Sequence, residues 1–119
     1  MMLSPLLVRL SLLFAWMVAG HALGDFPLQG DTMAEGKNRH NNPALHGVNW
    51  WYWLGSHAIV HGGIVGLITG STLLGLAEAV AHFLIDYGKC EDWYGIHADQ
   101  ALHVGCKLLW AVLLVYGTI

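Results

Sequence analysis

The sequence predicts an all-α fold, a small integral-membrane bundle of four transmembrane helices with a short interfacial helix between the first and the second. Hydrophobic residues make up 55% of the 119 residues and charged residues only 11%, which is unusual for a soluble domain of this length. The mean hydropathy is +0.51. Four apolar stretches approach the ~20 residues that span a bilayer, and the shorter middle two have aromatic residues nearby that suit the membrane interface. We therefore expect a single transmembrane domain over residues 1–119.

Proline and polar residues bound the first helix and the loop that follows it. Pro27 removes a backbone donor and disfavours helix in the residue before it, so the first helix ends close to this position. The polar loop 26–50 contains Thr32 and Glu35 at the spacing of a capping box, which predicts a short surface helix from Met33 onward. The four transmembrane helices are predicted at about 3–25, 51–69, 71–88 and 99–117.

The first apolar segment has an alternative interpretation. Arg9, an apolar core that runs to Gly20 and small residues around Ala22 also fit a secretory signal peptide. Under that interpretation, the resemblance of His21 and Asp25 to the polar pairs of the later helices would be accidental.

Four polar pairs interrupt the apolar stretches, and the members of each pair are four residues apart. On an α-helix this spacing places both side chains on one face. Because successive helices alternate direction through the membrane, all four pairs fall in the same half of the bilayer, where eight potential metal ligands converge. The pairs are His21 with Asp25, His57 with His61, His82 with Asp86, and Asp99 with His103.

The register of the antiparallel helices predicts which of these side chains lie at equal depth. A tight turn at Gly70 makes the second and third helices neighbours and places His57 near His82. On the antiparallel third and fourth helices, two residues lie at equal depth when their residue numbers add up to one fixed value. This rule pairs Glu78 with Lys107. A lone charge at this depth costs on the order of 3 kcal/mol, so we predict that these two side chains form an ion pair beneath the polar cluster.

Imidazole and carboxylate groups together are typical ligands of zinc, iron, manganese or nickel. The candidate set exceeds what one ion usually takes, so one or two divalent ions fit. A bound ion lowers the pKa of water and supplies hydroxide as a nucleophile, and Asp86 or Asp99 can orient the histidines or act as a general base. Two alternatives stay open: a hydrogen-bonded network that only stabilises the bundle, and a path for protons or cations.

Other functional classes have no support in the sequence. A His-Glu-x-x-His motif, a Gly-x-Ser-x-Gly motif and a phosphate-binding loop are all absent. No basic run suits nucleic acid, and the net charge is −3. Cys90 and Cys106 are expected to be free thiols. His40, His46 and His97 fall in predicted loops and are expected to be solvated.

The ordered set of motifs resembles a known family. The motifs are His21-x-x-x-Asp25-Phe26-Pro27-Leu28-Gln29, Met33-Ala34 with Lys37, His57-x-x-x-His61, His82-Phe83-Leu84-Ile85-Asp86 with Lys89, and Asp99-Gln100-x-x-His103. This string is similar to the bacterial and phage membrane family catalogued as domain of unknown function 3307. The resemblance implies a small multi-helix membrane protein, and we expect it in the bacterial inner membrane. It also marks Gln29, Lys37, Lys89 and Gln100, which lie close to the polar pairs and could bind an anionic substrate at the membrane surface.

Taken together, these features predict a metal-dependent membrane hydrolase that acts on a phosphoester or lipid-linked substrate near the bilayer surface. Asp86, Asp99 and Lys89 are the predicted catalytic residues, and the eight members of the polar pairs are the predicted metal ligands. The expected partners are the lipid bilayer and an anionic lipid or lipid-linked substrate, and a homo-oligomer stays open. The positive-inside rule favours a cytoplasmic site with both termini outside.

Overall fold

The computed structural model describes residues 2–41 and 47–117, so His46 lies outside the described residues. Within these ranges the chain forms helices and no strand. The helices are α1 (Pro5–Asp25), α2 (Asp31–Gly36), α3 (Trp50–Thr69), α4 (Thr72–Cys90) and α5 (Ile96–Tyr116). The all-α class, the short helix in the loop and the order of the elements match the prediction.

Local chemistry explains the helix ends, including two that the sequence interpretation placed wrongly. Ser4 caps α1, since its side chain accepts a hydrogen bond from the Leu7 amide at 3.2 Å. The predicted capping box of α2 does not form, because this helix begins at Asp31 with Gly30 at its cap and no side-chain cap hydrogen bond. Helix α5 begins three residues before the predicted start, since its first turn is polar and resembles a loop in a hydropathy profile. His97 therefore lies in a helix, although it is exposed as expected.

The four long helices form a closed ring in which α1 packs on α3 and α5, and α4 packs on α3 and α5. Glycines allow the closest approaches. A Cβ atom on Gly62 of α3 would lie 2.6 Å from the carbonyl oxygen of Gly75 on α4, so only a hydrogen fits between these backbones. Gly70 joins the two helices with a φ of 70°, which is the left-handed conformation that glycine favours. Helix α2 packs on α3, where Gly36 lies against the Trp53 ring.

The bundle has an apolar surface and a core that is apolar at one end and polar at the other. One end of the core is an apolar plug, which consists of Met17, Val65, Leu74, Trp110 and Ala111. The other end of the core holds most of the buried histidine and carboxylate side chains. Large apolar side chains such as Leu67 and Leu76 are instead exposed on the outside, at 87% and 62%.

Two of the four long helices, α1 and α5, are long and apolar enough by length and composition to cross a membrane. Four such helices were predicted. The difference has a physical origin, because α3 and α4 carry ionisable residues, glycines and aromatic residues that lower their hydropathy. Glu78 and Asp86, for example, are charged residues of α4 that point into the core at 0% and 2% exposure.

Candidate metal centre

The four polar pairs meet at one end of the bundle. The C-terminal ends of α1 and α4 and the N-terminal ends of α3 and α5 lie together there, and each helix contributes one pair. The members are at most 8% exposed, and they are His21, Asp25, His57, His61, His82, Asp86, Asp99 and His103. The structure therefore brings together all eight side chains that the sequence singled out.

Three imidazole nitrogens surround one carboxylate oxygen at the centre of this cluster. The Oδ1 atom of Asp25 lies 3.2 Å from His57 Nε2, 2.9 Å from His61 Nε2 and 3.5 Å from His82 Nε2. The Nε2 atoms of His57 and His82 are 3.2 Å apart. Ligand atoms at about 2.0–2.1 Å from a tetrahedral zinc ion lie about 3.3 Å from one another. The distances between these four atoms are therefore compatible with a site in which all four bind one metal ion.

Hydrogen bonds alone account poorly for this arrangement. His61 Nε2 is buried and has no aligned hydrogen-bond partner, although it lies 2.9 Å from Asp25 Oδ1. His82 Nε2 faces Asp25 Oδ1 at 3.5 Å, Asp86 Oδ2 at 3.6 Å and His57 Nε2 at 3.2 Å. A ring nitrogen carries at most one hydrogen and cannot serve three acceptors. A cation at the centre would attract all of these lone pairs at once.

A second group of ligands adjoins the first. His103 Nε2 lies 2.9 Å from Asp86 Oδ1 and 3.4 Å from Asp99 Oδ1. Ligand atoms of Asp25, Asp99 and His103 all lie within 4.8 Å of one another. A third group, which consists of His21, His82 and His103, overlaps both.

The predicted pair of Glu78 and Lys107 is confirmed, with 2.5 Å between Lys107 Nζ and Glu78 Oε1. The sequence did not reveal that this carboxylate also contacts a histidine of the polar cluster. Glu78 Oε1 lies 3.2 Å from His82 Nδ1, and Glu78 Oε2 accepts a hydrogen bond from Trp110 Nε1 at 2.6 Å. A carboxylate on the far nitrogen of a ligating histidine fixes the orientation of the ring. The four-residue spacing of Glu78 and His82 was the signal that could have indicated it.

A lysine reaches the cluster from the residue that directly follows α2, and not from α4. Lys37, which is 8% exposed, donates to Asp86 Oδ2 at 2.9 Å and to Gln29 Oε1 at 2.5 Å. Lys89 is half-buried in the last turn of α4 and forms no ion pair with the described residues. The structure thus places Lys37, and not Lys89, on the cluster, and the catalytic role of Lys89 stays a prediction.

Gln100 is the polar residue that connects most of the carboxylates. Its amide nitrogen donates to Asp25 Oδ2 at 2.9 Å and to Asp99 Oδ2 at 3.1 Å, while its oxygen lies 2.9 Å from His21 Nε2. One side chain thus holds two carboxylates and one imidazole in place. The family resemblance marked this position, but its partners could not be read from the sequence.

A family model matches residues 12–118, a range that contains every member of the cluster. The chain belongs to the family described as Protein of unknown function (DUF3307). No curated protein and no solved structure matches the chain.

In this DUF3307 chain, an ion-pair clasp connects the loop after α2 to the end of α4. Glu91 accepts hydrogen bonds from Arg39 and, at 2.9 Å, lies against His40 Nε2. His40 is exposed, as predicted, but its side chain contacts Glu91. The two basic neighbours lower the pKa of Glu91 to about 2. The clasp holds the loop that carries Lys37 over the cluster.

Proposed function

We propose that the protein is a four-span membrane metalloprotein and that its metal centre hydrolyses a phosphoester or lipid-linked substrate at the membrane surface. The observation that carries the proposal is the convergence of Asp25 Oδ1 with the Nε2 atoms of three histidines at 2.9–3.5 Å. The ion is a divalent transition metal such as zinc, iron or manganese, since imidazole with carboxylate suits these metals.

The distribution of polar and apolar side chains supports four spans. The four long helices form one ring, so α3 and α4 share the depth of α1 and α5. Helices α3 and α4 both expose large apolar side chains, for example Ile59 at 69% and Leu84 at 61%, that would be lipid-facing in a bilayer. Helix α1 supplies His21, Asp25 and the core residue Met17, which supports its retention over removal as a signal peptide.

The charge of the cluster supports a bound dication. Three carboxylates, those of Asp25, Asp86 and Asp99, are buried together, and Lys37 forms an ion pair with one of them, Asp86. Buried charges are costly unless they are compensated, and the cost is higher within a membrane. One divalent ion would neutralise the two remaining negative charges, with all histidines neutral and free to bind the metal.

A hydrolase uses such a site in a defined way. A bound divalent ion lowers the pKa of water towards neutrality and so supplies a nucleophile. The water oxygen would bond to phosphorus as the bond to the leaving oxygen breaks, and one water proton would pass by way of Asp99 to that leaving oxygen. Lys37 and Gln29 lie between the cluster and the surface, where an anionic head group would approach.

Ion movement across the membrane has less support from the structure. The polar side chains continue from Lys37 through Asp86 and His82 to Glu78 and end at Trp110. Beyond this point the described core is the apolar plug, which offers no proton carrier. The polar network thus reaches only about halfway through the bundle.

Metal analysis of detergent-purified protein, prepared without chelators, tests the proposal. We expect stoichiometric transition metal in the wild type and in His97→Ala, since His97 is exposed and outside the cluster. His57→Ala should lose the metal. A wild-type protein without stoichiometric transition metal would refute the proposal.

Activity against phosphoester lipids in mixed micelles tests the reaction separately. Asp86→Asn should retain a folded, monodisperse protein and lose hydrolysis. If Asp86→Asn and His57→Ala only lower expression and thermal stability together, and no phosphoester lipid is cleaved by the metal-loaded wild type, the cluster has a structural role.

A further inference from the structure

We propose that the cluster binds two metal ions, bridged by Asp25 and Asp86, and that the second ion binds a phosphoryl anion. This inference rests on the proposed metal centre and extends it. The first ion lies among Asp25, His57, His61 and His82, and the second among Asp25, Asp86, Asp99 and His103.

An unpartnered carboxylate oxygen points to the second site. Asp99 is 2% exposed, and its Oδ1 atom has no hydrogen-bond partner. This atom lies 3.4 Å from His103 Nε2, which is itself 2.9 Å from Asp86 Oδ1. A buried carboxylate oxygen without a partner is costly, and a cation shared with His103 and Asp86 would satisfy it.

Two carboxylates face both groups of ligands. Asp25 belongs to both, with Oδ1 among the first group of histidines and Oδ2 held beside Asp99 by the Gln100 amide. Asp86 has the same arrangement, since Oδ2 lies 3.4 Å from His57 Nε2 and Oδ1 lies 2.9 Å from His103 Nε2. Carboxylates whose two oxygens face two ligand groups are suited to bridge ions about 3.5–4 Å apart.

The two ions would have different coordination. The first would take three imidazoles and one carboxylate from the protein and would add water as a fifth ligand. The second takes one imidazole and three carboxylates, two of which are shared, so it keeps positions for water and for a ligand. His21, whose Nδ1 atom has no partner, lies in an overlapping group with His103 and can add a nitrogen.

The charge balance identifies the class of ligand. The three carboxylates and Lys37 together carry two negative charges, which one dication offsets, so a second dication leaves two positive charges in a buried site. An anion with up to two negative charges would offset them, and a phosphoryl group carries this charge together with oxygens that bridge two ions. Lys37, which contacts Asp86, adds a hydrogen-bond donor next to the proposed second site.

The number of ions bound per chain tests the inference. In titrations of metal-free protein with zinc, we expect two ions per chain in the wild type and in Asp92→Asn, and one in Asp99→Asn. Asp92 is a matched control because it is exposed and its φ of 60° suits asparagine. One ion in the wild type would overturn the second site and leave the proposed function intact, whereas no bound ion would refute the proposed function itself.

Two further measurements do not depend on whether Asp99→Asn folds. Electron paramagnetic resonance of the wild type loaded with Mn²⁺ should show a coupled pair of ions, and an isolated-ion spectrum at saturation would contradict the proposal. Inorganic phosphate should bind the wild type with two zinc ions at least tenfold more tightly than the wild type with one. Equal affinity in the two states would overturn the assignment of the phosphoryl ligand.

Discussion

Replacing Lys107 by methionine leaves the carboxylate of Glu78 buried without its cation. Glu78 is 0% exposed and Lys107 is 1% exposed, and their charged atoms are 2.5 Å apart. Trp110 Nε1 and His82 Nδ1 would be the remaining polar atoms near the carboxylate. Removal of one partner from a buried pair costs about 3–5 kcal/mol, so we expect Lys107→Met to lower the free energy of unfolding by this amount.

The double variant Glu78→Gln/Lys107→Met separates the cost of an unpaired buried charge from the contribution of the ion pair itself. Because neither side chain is then charged, its free energy of unfolding should return to within about 1 kcal/mol of the wild type, as buried pairs are often replaced at little cost. Leu108→Met, at an exposed neighbouring position, is the matched control and should change stability by less than about 0.5 kcal/mol. The assay is reversible unfolding in mixed detergent micelles. A cost below about 1 kcal/mol for Lys107→Met, or a double variant no more stable than the single one, would refute the reasoning.

Three further predictions concern packing, pH and metal. Gly62→Ala should cost about 1–3 kcal/mol, because its Cβ would lie 2.6 Å from Gly75 oxygen, whereas Gly63→Ala has open space and should cost little in the same unfolding assay. The lowered pKa of Glu91, caused by Arg39 and His40, contributes stability that is present above pH 4.5 and lost as the pH falls towards about 2. Glu91→Gln should therefore flatten the pH dependence of the unfolding temperature in this window, and an unchanged slope would show that the clasp is absent in solution. Chelation should lower the unfolding temperature of the wild type and re-addition of metal should restore it, while a variant that binds no metal should not respond.

The sequence interpretation was most successful where covalent geometry constrains the chain. The tight turn at Gly70 determines the register of α3 and α4, and His57 and His82 accordingly lie 3.2 Å apart at their Nε2 atoms. The four-residue spacing placed each polar pair on one helix face, and the equal-depth rule found the partner of Glu78. These inferences required only the helix repeat and the direction of each helix.

Contacts made by the long loop could not be predicted in the same way. More than twenty residues separate α1 from α3, and a connection of this length does not fix the register of one helix against the other. The sequence therefore did not show which lysine reaches Asp86. Lys37 does so because Gly36 packs on Trp53 and the clasp holds the following residues. The hydrogen bonds of Gln100 likewise depend on the rotation of α5 relative to α1, which no local pattern encodes.

The apolar plug has an electrical consequence for the site. Moving one elementary charge across a membrane at 100 mV involves about 2.3 kcal/mol, and most of this potential drop falls over regions of low polarity. In a bilayer, the plug of Met17, Val65, Leu74, Trp110 and Ala111 would carry much of that drop, since the cluster lies entirely on one side of it. If the cluster binds metal as proposed, we expect its occupancy to follow the ion concentration of the compartment it faces and to respond little to the membrane voltage.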